Sequence, residues 1–365
     1  MANEYDITIP AHPNLYTGDE RQLKIYFGAP EQINADTGMV LFIAGYGGHS
    51  GSKVYTKMRS VLADTFNLVT VQCDYFGHEF MQKPKQIDAT PFCLNVQKKT
   101  GIPASAINSQ LNGVEDMVRL AEKYDIPLLF KEALGESKGN FNDMSLMQSI
   151  DNITAVLAVI AILQDNDYPF NTRKMVTFGH SHGAYLAYLC NAFAPGLFKL
   201  MIDNSSYLYP IFMNPLERRI GELTLDGLIL RVYFDYMATT MNEVDRNIMD
   251  LEWLYGQIEN RCQCMVYHGS KDHMTDTGRK REFSRSIGAR FEEVAEDRVD
   301  GQLFGSAEHG LHADFFKLFE HVMERFHFDR STVWTPPDTL ILESEMAAYT
   351  FDYSSGLVKV NKRLV

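Results

Sequence analysis

Residues 175–190 read MVTFGHSHGAYLAYLC. Met175 to Phe178 form an apolar run that suits a strand buried on both faces, and the small and apolar residues after Gly183 suit a helix that Pro195-Gly196 stops. Between them stands Gly179-His180-Ser181-His182-Gly183, a G-x-S-x-G pentapeptide. A turn this sharp between strand and helix needs glycine where side chains would collide, and it presents the serine hydroxyl at a helix N-terminus. The pentapeptide alone is a weak signal; its place between a strand and a helix gives it weight.

Upstream, Met39–Ala44 and Asn67–Cys73 are further continuous apolar runs, and between them Val54, Met58, Val61 and Leu62 keep a helical period across Lys53–Phe66. These pieces make a βαβ unit. Residues 21–28 alternate and pair with Tyr5–Ile9 as an antiparallel edge. Ile150, Ile153, Leu157, Ile160 and Ala161 describe a helix lying deep against a sheet. Its longest apolar run, Ile153–Leu163, is too short to span a bilayer. Downstream follow strands at Phe198–Asp203, Cys262–His268 and within 289–305, and helices near Thr277–Ile287 and Ala313–Phe326. The expected fold is therefore α/β, a mostly parallel central sheet flanked by helices.

Two stretches interrupt this alternation. Residues from about 78 to 145 carry Pro84, Pro91, Gly101, Pro103, Pro127, Gly135 and Gly139 around short helical pieces such as Ser109–Tyr124, and 204–257 read as irregular or helical. Residues 1–330 are thus expected to form one domain with two insertions. Residues 331–365, past Pro336-Pro337, form a C-terminal extension expected to be a β-hairpin around Ser354-Ser355-Gly356, packed on the core.

A serine hydroxyl needs a base within hydrogen-bond reach and an acid to orient that base. The strand Cys262–His268 ends in Gly269-Ser270-Lys271-Asp272, and Glu308-His309-Gly310-Leu311-His312 precedes the last helix. All three segments fall at strand ends on one sheet edge, where α/β sheets collect ligands. His312 rivals His309 as base; Asp276 rivals Asp272 as acid but reads as a helix N-cap. His180 and His182 flank the serine, point away from it at such a turn, and either bind the loop or touch substrate. Tyr75 and Tyr207, with Tyr209, Phe212 and Met213, either wall an acyl pocket or fill the core of a cap. Lys83, Lys85, Lys98 and Lys99 read as a solvated basic face.

With these residues in this order, the chain resembles the α/β-hydrolase superfamily of serine hydrolases from about residue 21 to 327, and its long insertion is similar to an uncharacterised bacterial branch that brings no substrate with it. The resemblance implies Ser181 as nucleophile, Asp272 as the acid of an H-G-x-x-D pattern and His309 as base. It also implies an oxyanion loop at Gly45-Tyr46-Gly47-Gly48, with backbone N–H donors from Tyr46 or Gly47 and from His182. The loop departs from the lipase H-G-G-G pattern, which leaves the donor open. The implied activity is hydrolysis of a carboxylic ester, as a small acyl esterase or deacetylase, through an acyl-enzyme on Ser181. Acyl transfer to an alcohol and peptide cleavage use the same residues. The contrasting class is a non-catalytic binding or assembly protein on a hydrolase fold. The acyl mechanism calls for no metal and no cofactor.

Composition narrows the partners. With 45% hydrophobic and 22% charged residues the 365-residue chain is a packed globular protein, and 34 Lys and Arg against 47 Asp and Glu give a net charge of -13. That field repels phosphate backbones and anionic lipid, so the expected partner is a small-molecule or acylated substrate, with no nucleic acid and no membrane. Self-association into a homo-oligomer stays open. Five cysteines, most of them in apolar strands or helices, suggest a reducing compartment, and Cys262-x-Cys264 reads as core. Met1–Pro10 has no basic flank before an apolar run, so the expected location is cytoplasmic.

Overall fold

Apolar runs and helical periods alternate along the chain, and the computed structural model, which describes residues 2–82, 87–132, 134–213, 219–225, 228–233 and 236–365, turns that alternation into a layered sheet. In chain order the strands are β1 (Asn3–Pro10), β2 (Gln22–Ala29), β3 (Gly38–Ile43), β4 (Leu68–Cys73), β5 (Ile87–Asp88), β6 (Leu128–Glu132), β7 (Met175–His180), β8 (Leu200–Asn204), β9 (Arg219–Leu225), β10 (Leu228–Tyr233), β11 (Gln263–Gly269), β12 (Arg290–Val294), β13 (Leu340–Glu343), β14 (Ala347–Asp352) and β15 (Lys359–Leu364). The helices are α1 (Lys53–Phe66), α2 (Thr90–Thr100), α3 (Ala104–Asn108), α4 (Val114–Tyr124), α5 (Leu146–Asp165), α6 (His182–Phe193), α7 (Leu251–Gln257), α8 (Thr277–Ser286) and α9 (Phe315–Met323).

The chain divides into two compact units. The first comprises Met1–Gln82, Lys138–Pro210 and Asn242–Val365. Its main sheet has eight strands in the order β1-β2-β4-β3-β7-β8-β11-β12. β1 and β2 are antiparallel, and every pair from β4 to β12 is parallel. This mostly parallel sheet, with a serine turn at the end of its central strand, is the α/β-hydrolase fold. Its strands β3 and β4 are buried at every position, as their largely apolar sequence suits, and the two polar side chains of β4, Thr70 and Gln72, are hydrogen-bonded to Arg59. On one face Val40, Phe42, Val176, Phe178, Leu200 and Ile202 pack with Leu318, Phe319 and Val322 of α9.

The apolar run at Ile153–Leu163 is the middle of a longer helix. α5 has 20 residues, long and apolar enough to cross a bilayer by length and composition, and 16 of them are buried in the core. Its fully buried Asp151 accepts two hydrogen bonds from Arg21 (3.2 and 2.7 Å) and one from the Phe76 N–H (2.8 Å), so the segments before β2 and after β4 are tied to it.

The second unit, Lys83–Ser137 with Ile211–Met241, is narrower than the insertions read from sequence. It carries a four-stranded sheet, β5-β6-β10-β9. Here the irregular or helical expectation for 204–257 is corrected: β9 and β10 are antiparallel strands, and β10 lies parallel to β6. Residues 214–218, 226–227 and 234–235 of that stretch, and Lys83 and Lys85 of the basic face, lie outside the described residues. The helix expected from Ser109 starts at Val114, after Gly113 at φ +150°, a conformation that a helix cannot contain.

The C-terminal extension is a three-stranded antiparallel sheet, β13-β14-β15, with one strand more than the expected hairpin. It packs on α6 through Phe351, stacked on Phe193 with centroids 4.7 Å apart, and Tyr353, whose hydroxyl donates to the Phe193 carbonyl at 2.6 Å.

Candidate active site

The turn from β7 into α6 holds Ser181 at φ 53°, ψ -119°. This is a left-handed backbone for a non-glycine residue, a strain that surrounding contacts must hold. Two glycines let it form. A Cβ on Gly183 would stand 1.9 Å from the Ile43 carbonyl oxygen, and one on Gly179 would stand 2.4 Å from the Ala184 backbone. The Ser181 N–H donates to the Asn204 carbonyl at the end of β8 (2.8 Å), which pins the turn to the neighbouring strand.

Ser181 Oγ lies 2.7 Å from His309 Nε2, and His309 Nδ1 lies 2.8 Å from Asp272 Oδ2. An ionised carboxylate only accepts, so Nδ1 carries the proton donated to Asp272 and Nε2 accepts from the Ser181 hydroxyl. Three segments more than 30 residues apart in sequence thus form one chain of hydrogen bonds. Asp272 follows β11 in a tight turn in which its N–H donates to the Gly269 carbonyl (3.1 Å). A Cβ on Gly269 would stand 2.2 Å from the Ala307 carbonyl oxygen, and the Lys271 N–H donates to that same oxygen (2.9 Å). The acid turn and the histidine loop are therefore fastened to each other. Burial pushes the Asp272 carboxyl up, but the His309 hydrogen bond, the nearby His309 and His268 rings and the Met274 N–H outweigh it, and the group sits below the usual carboxylate range.

The two rivals stand apart from this chain. His312 is exposed and makes no hydrogen bond to Ser181, while Asp276 caps α8 by accepting from the Arg279 N–H at 2.8 Å.

The residues flanking Ser181 turn inward. His182 is fully buried: its Nε2–H donates to Gln148 Oε1 at 2.7 Å, and its Nδ1 accepts from the Tyr207 hydroxyl. Burial lowers its pKa to about 3, so the ring is neutral. His180 is packed against Phe315 and His309, with centroids 5.2 and 6.5 Å away. Burial, then the neighbouring His309, lowers its pKa to about 4. Tyr207, anticipated at a substrate wall, is 1% exposed and spends its hydroxyl on His182; Tyr75 is 4% exposed and donates to the Ala44 carbonyl at 3.3 Å. Both brace the loops around the serine from within. Phe212 and Met213 are buried in the second unit, where Phe212 meets Tyr236 edge to face.

The loop after β3 departs from expectation at one donor. The Gly47 N–H is committed to the Met81 carbonyl at 2.7 Å, so it is not aimed at an oxyanion here. The His182 N–H, in the first turn of α6, has no acceptor within its own helix. Tyr46 lies in the same loop as Gly47, beside Gly45, whose absent side chain lets the loop approach the His180 carbonyl; a Cβ there would stand 2.5 Å from it.

Gln148 and His268 escaped the sequence reading. Gln148 comes from α5 and is joined to the site only by the fold. His268 stands in His268-Gly269-Ser270-Lys271-Asp272, where the pattern itself could have flagged it; its Nδ1 is 3.7 Å from Asp272 Oδ2 and its Nε2–H donates to the Thr275 carbonyl at 3.1 Å. Among the described residues no three His, Cys, Asp or Glu side chains gather as a metal site, and all five cysteines are free and buried.

Residues 14–327 match the family described as a protein of unknown function (DUF2920). No curated protein sequence matches. Among solved structures, Est1E from Butyrivibrio proteoclasticus, determined with ferulic acid, is 13% identical over 83% of this chain and 94% of its own, with a TM-score of 0.44. A structure from an analysis of two fungal esterases of Rhizomucor miehei is 14% identical over 89% of this chain and 83% of its own, with a TM-score of 0.47. An acylaminoacyl peptidase from Pyrococcus horikoshii is 11% identical over 92% of this chain but only 43% of its own, with a TM-score of 0.47.

Proposed function

Because the chain belongs to the family described as a protein of unknown function (DUF2920), which carries no assigned chemistry, we propose its function from the site: a serine hydrolase that cleaves a small carboxylic ester through an acyl-enzyme on Ser181. The observation that carries this reading is the hydrogen-bonded sequence Ser181–His309–Asp272, begun at a strained turn and ended on a buried carboxylate.

In this reading His309 Nε2 takes the Ser181 proton as Oγ attacks the ester carbonyl, and it returns that proton to the departing alcohol. Asp272 keeps the imidazole tautomer and stabilises the imidazolium. The His182 N–H supports the tetrahedral oxyanion, and a second donor comes from the Gly45–Gly48 loop, other than the Gly47 N–H, which is already bonded to the Met81 carbonyl. Water then attacks the acyl-enzyme with His309 again as base. Acyl transfer and peptide cleavage differ from this only in the acceptor or leaving group.

A fluorophosphonate probe, with turnover of p-nitrophenyl acetate and butyrate, tests the reading. Wild-type protein is expected to be labelled once. Ser181→Ala should abolish labelling, His309→Ala should lower turnover by about 10,000-fold or more, and His312→Ala should leave it within a few-fold. Folded wild-type protein that neither labels nor turns over ester would send the reading to a binding role.

A further inference from the structure

Away from Ser181, the first unit holds a cavity of about 870 Å³ between the turn at residues 10–18, α5 and the last strand of the C-terminal sheet. That volume suits a small organic ligand. Leu15, Met346, Leu357, Val358 and Leu364 give it apolar walls, and Lys362 brings a cation to them.

The Lys362 ammonium is half-buried. It donates to the Glu243 carbonyl at 2.9 Å and lies 5.7 and 5.8 Å from the centroids of Tyr16 and Tyr349. An ammonium has three donors, and among the described residues one is used. Two acids share this cation's surroundings, Glu243 of the lining and Asp245, and both also have other partners: the Glu243 carboxylate accepts from Lys138 (2.7 Å), and Asp245 accepts from the Ser344 hydroxyl and from Tyr349 (3.0 Å). The lining His12 adds no charge, since its Nδ1–H donates to the Pro13 carbonyl and its Nε2 accepts from the Val360 N–H. Thr154, also in the lining, has a buried hydroxyl without a partner among the described residues. A half-buried cation with donors left over, set beside apolar walls, suits an anion that carries an apolar body.

We propose that this cavity binds a small amphipathic carboxylate, its chain against Leu15, Leu357 and Val358 and its carboxylate on Lys362 Nζ. The site is separate from Ser181, and the proposal stands or falls independently of the hydrolase reading.

The test uses the full chain and the dye 8-anilinonaphthalene-1-sulfonate, an apolar body with one anionic group, displaced by octanoate or by 1-octanol. One dye per chain is expected, with octanoate displacing it at least about 10-fold more effectively than the alcohol. Lys362→Met should remove that preference, and Leu357→Trp, a replacement on a half-buried bend, should fill the cavity and abolish dye binding. Melting temperatures near wild type certify both variants. Absence of dye binding, equal displacement by acid and alcohol, or binding that survives Leu357→Trp would overturn the proposal.

Discussion

His180 and His182 are chain neighbours of Ser181, yet each is held neutral by its own surroundings. With pKa values lowered to about 4 and about 3 by burial, neither takes up a proton while the chain is folded near neutral pH. In the unfolded chain both titrate near 6.5. The unfolded state therefore binds more protons below that pH, and stability is retained above about 6.5 and lost as pH falls towards the folded values. Each ring contributes a slope of about 1.4 kcal/mol per pH unit in that window. Denaturant titrations from pH 7 to 5 should show falling stability, and NMR of the imidazole Cε1–H resonances should show two rings that do not titrate. A His182→Gln variant that keeps the full wild-type slope would contradict this account. At this scale the sequence was legible where chemistry comes as short motifs at strand ends, as with Ser181, Asp272 and His309. It was silent about Gln148, because a helix more than 30 residues upstream carries no local mark of what it will touch.

Between elements, β8 and α8 are joined by an ion pair with no solvent access: Lys280 Nζ lies 2.8 Å from Asp203 Oδ2, donates to the Ser206 hydroxyl and stands 4.9 Å from the centroid of Tyr188. Asp203 also accepts from the Tyr188 hydroxyl (3.0 Å) and the Ser206 N–H (2.7 Å). Removing one partner leaves a buried charge uncompensated. Lys280→Met is expected to destabilise by about 3–5 kcal/mol in urea unfolding, while Lys280→Met with Asp203→Leu should recover part of that loss. A single variant within 1 kcal/mol of wild type would remove the pair from the stability account. The bounds of α1 could be read from sequence, but of its four periodic residues Met58 and Leu62 are buried while Val54 and Val61 are exposed, because Tyr55 and Ala63 also turn to the core. The bounds of β9 and β10 could not: RIGELTL and LILRVY show no strict alternation that sets them apart from the stretch around them, although Asp226-Gly227 between them is a hairpin signal.

For the molecule as a whole, the C-terminal sheet belongs to the first unit. Phe351 is fully buried against Phe193, at the end of the helix that Ser181 begins. Phe351→Ala is expected to destabilise the protein by about 3–5 kcal/mol, with a matching fall in melting temperature. A change below about 1 kcal/mol would mean that the sheet folds without bearing on the core. The second unit has a different dependence, set by where its strands lie along the chain. β6 pairs with β10 at Leu128↔Leu230, about 100 residues later, with β7, α6 and β8 synthesised in between. At about 5–20 residues per second, a ribosome finishes the partner strand some 5–20 s after β6 emerges. During that interval the edge of β6 that β10 will cover is open to any other strand. Expression of this protein should accordingly depend on translation speed across residues 133–227 and on the chaperones that attend nascent chains.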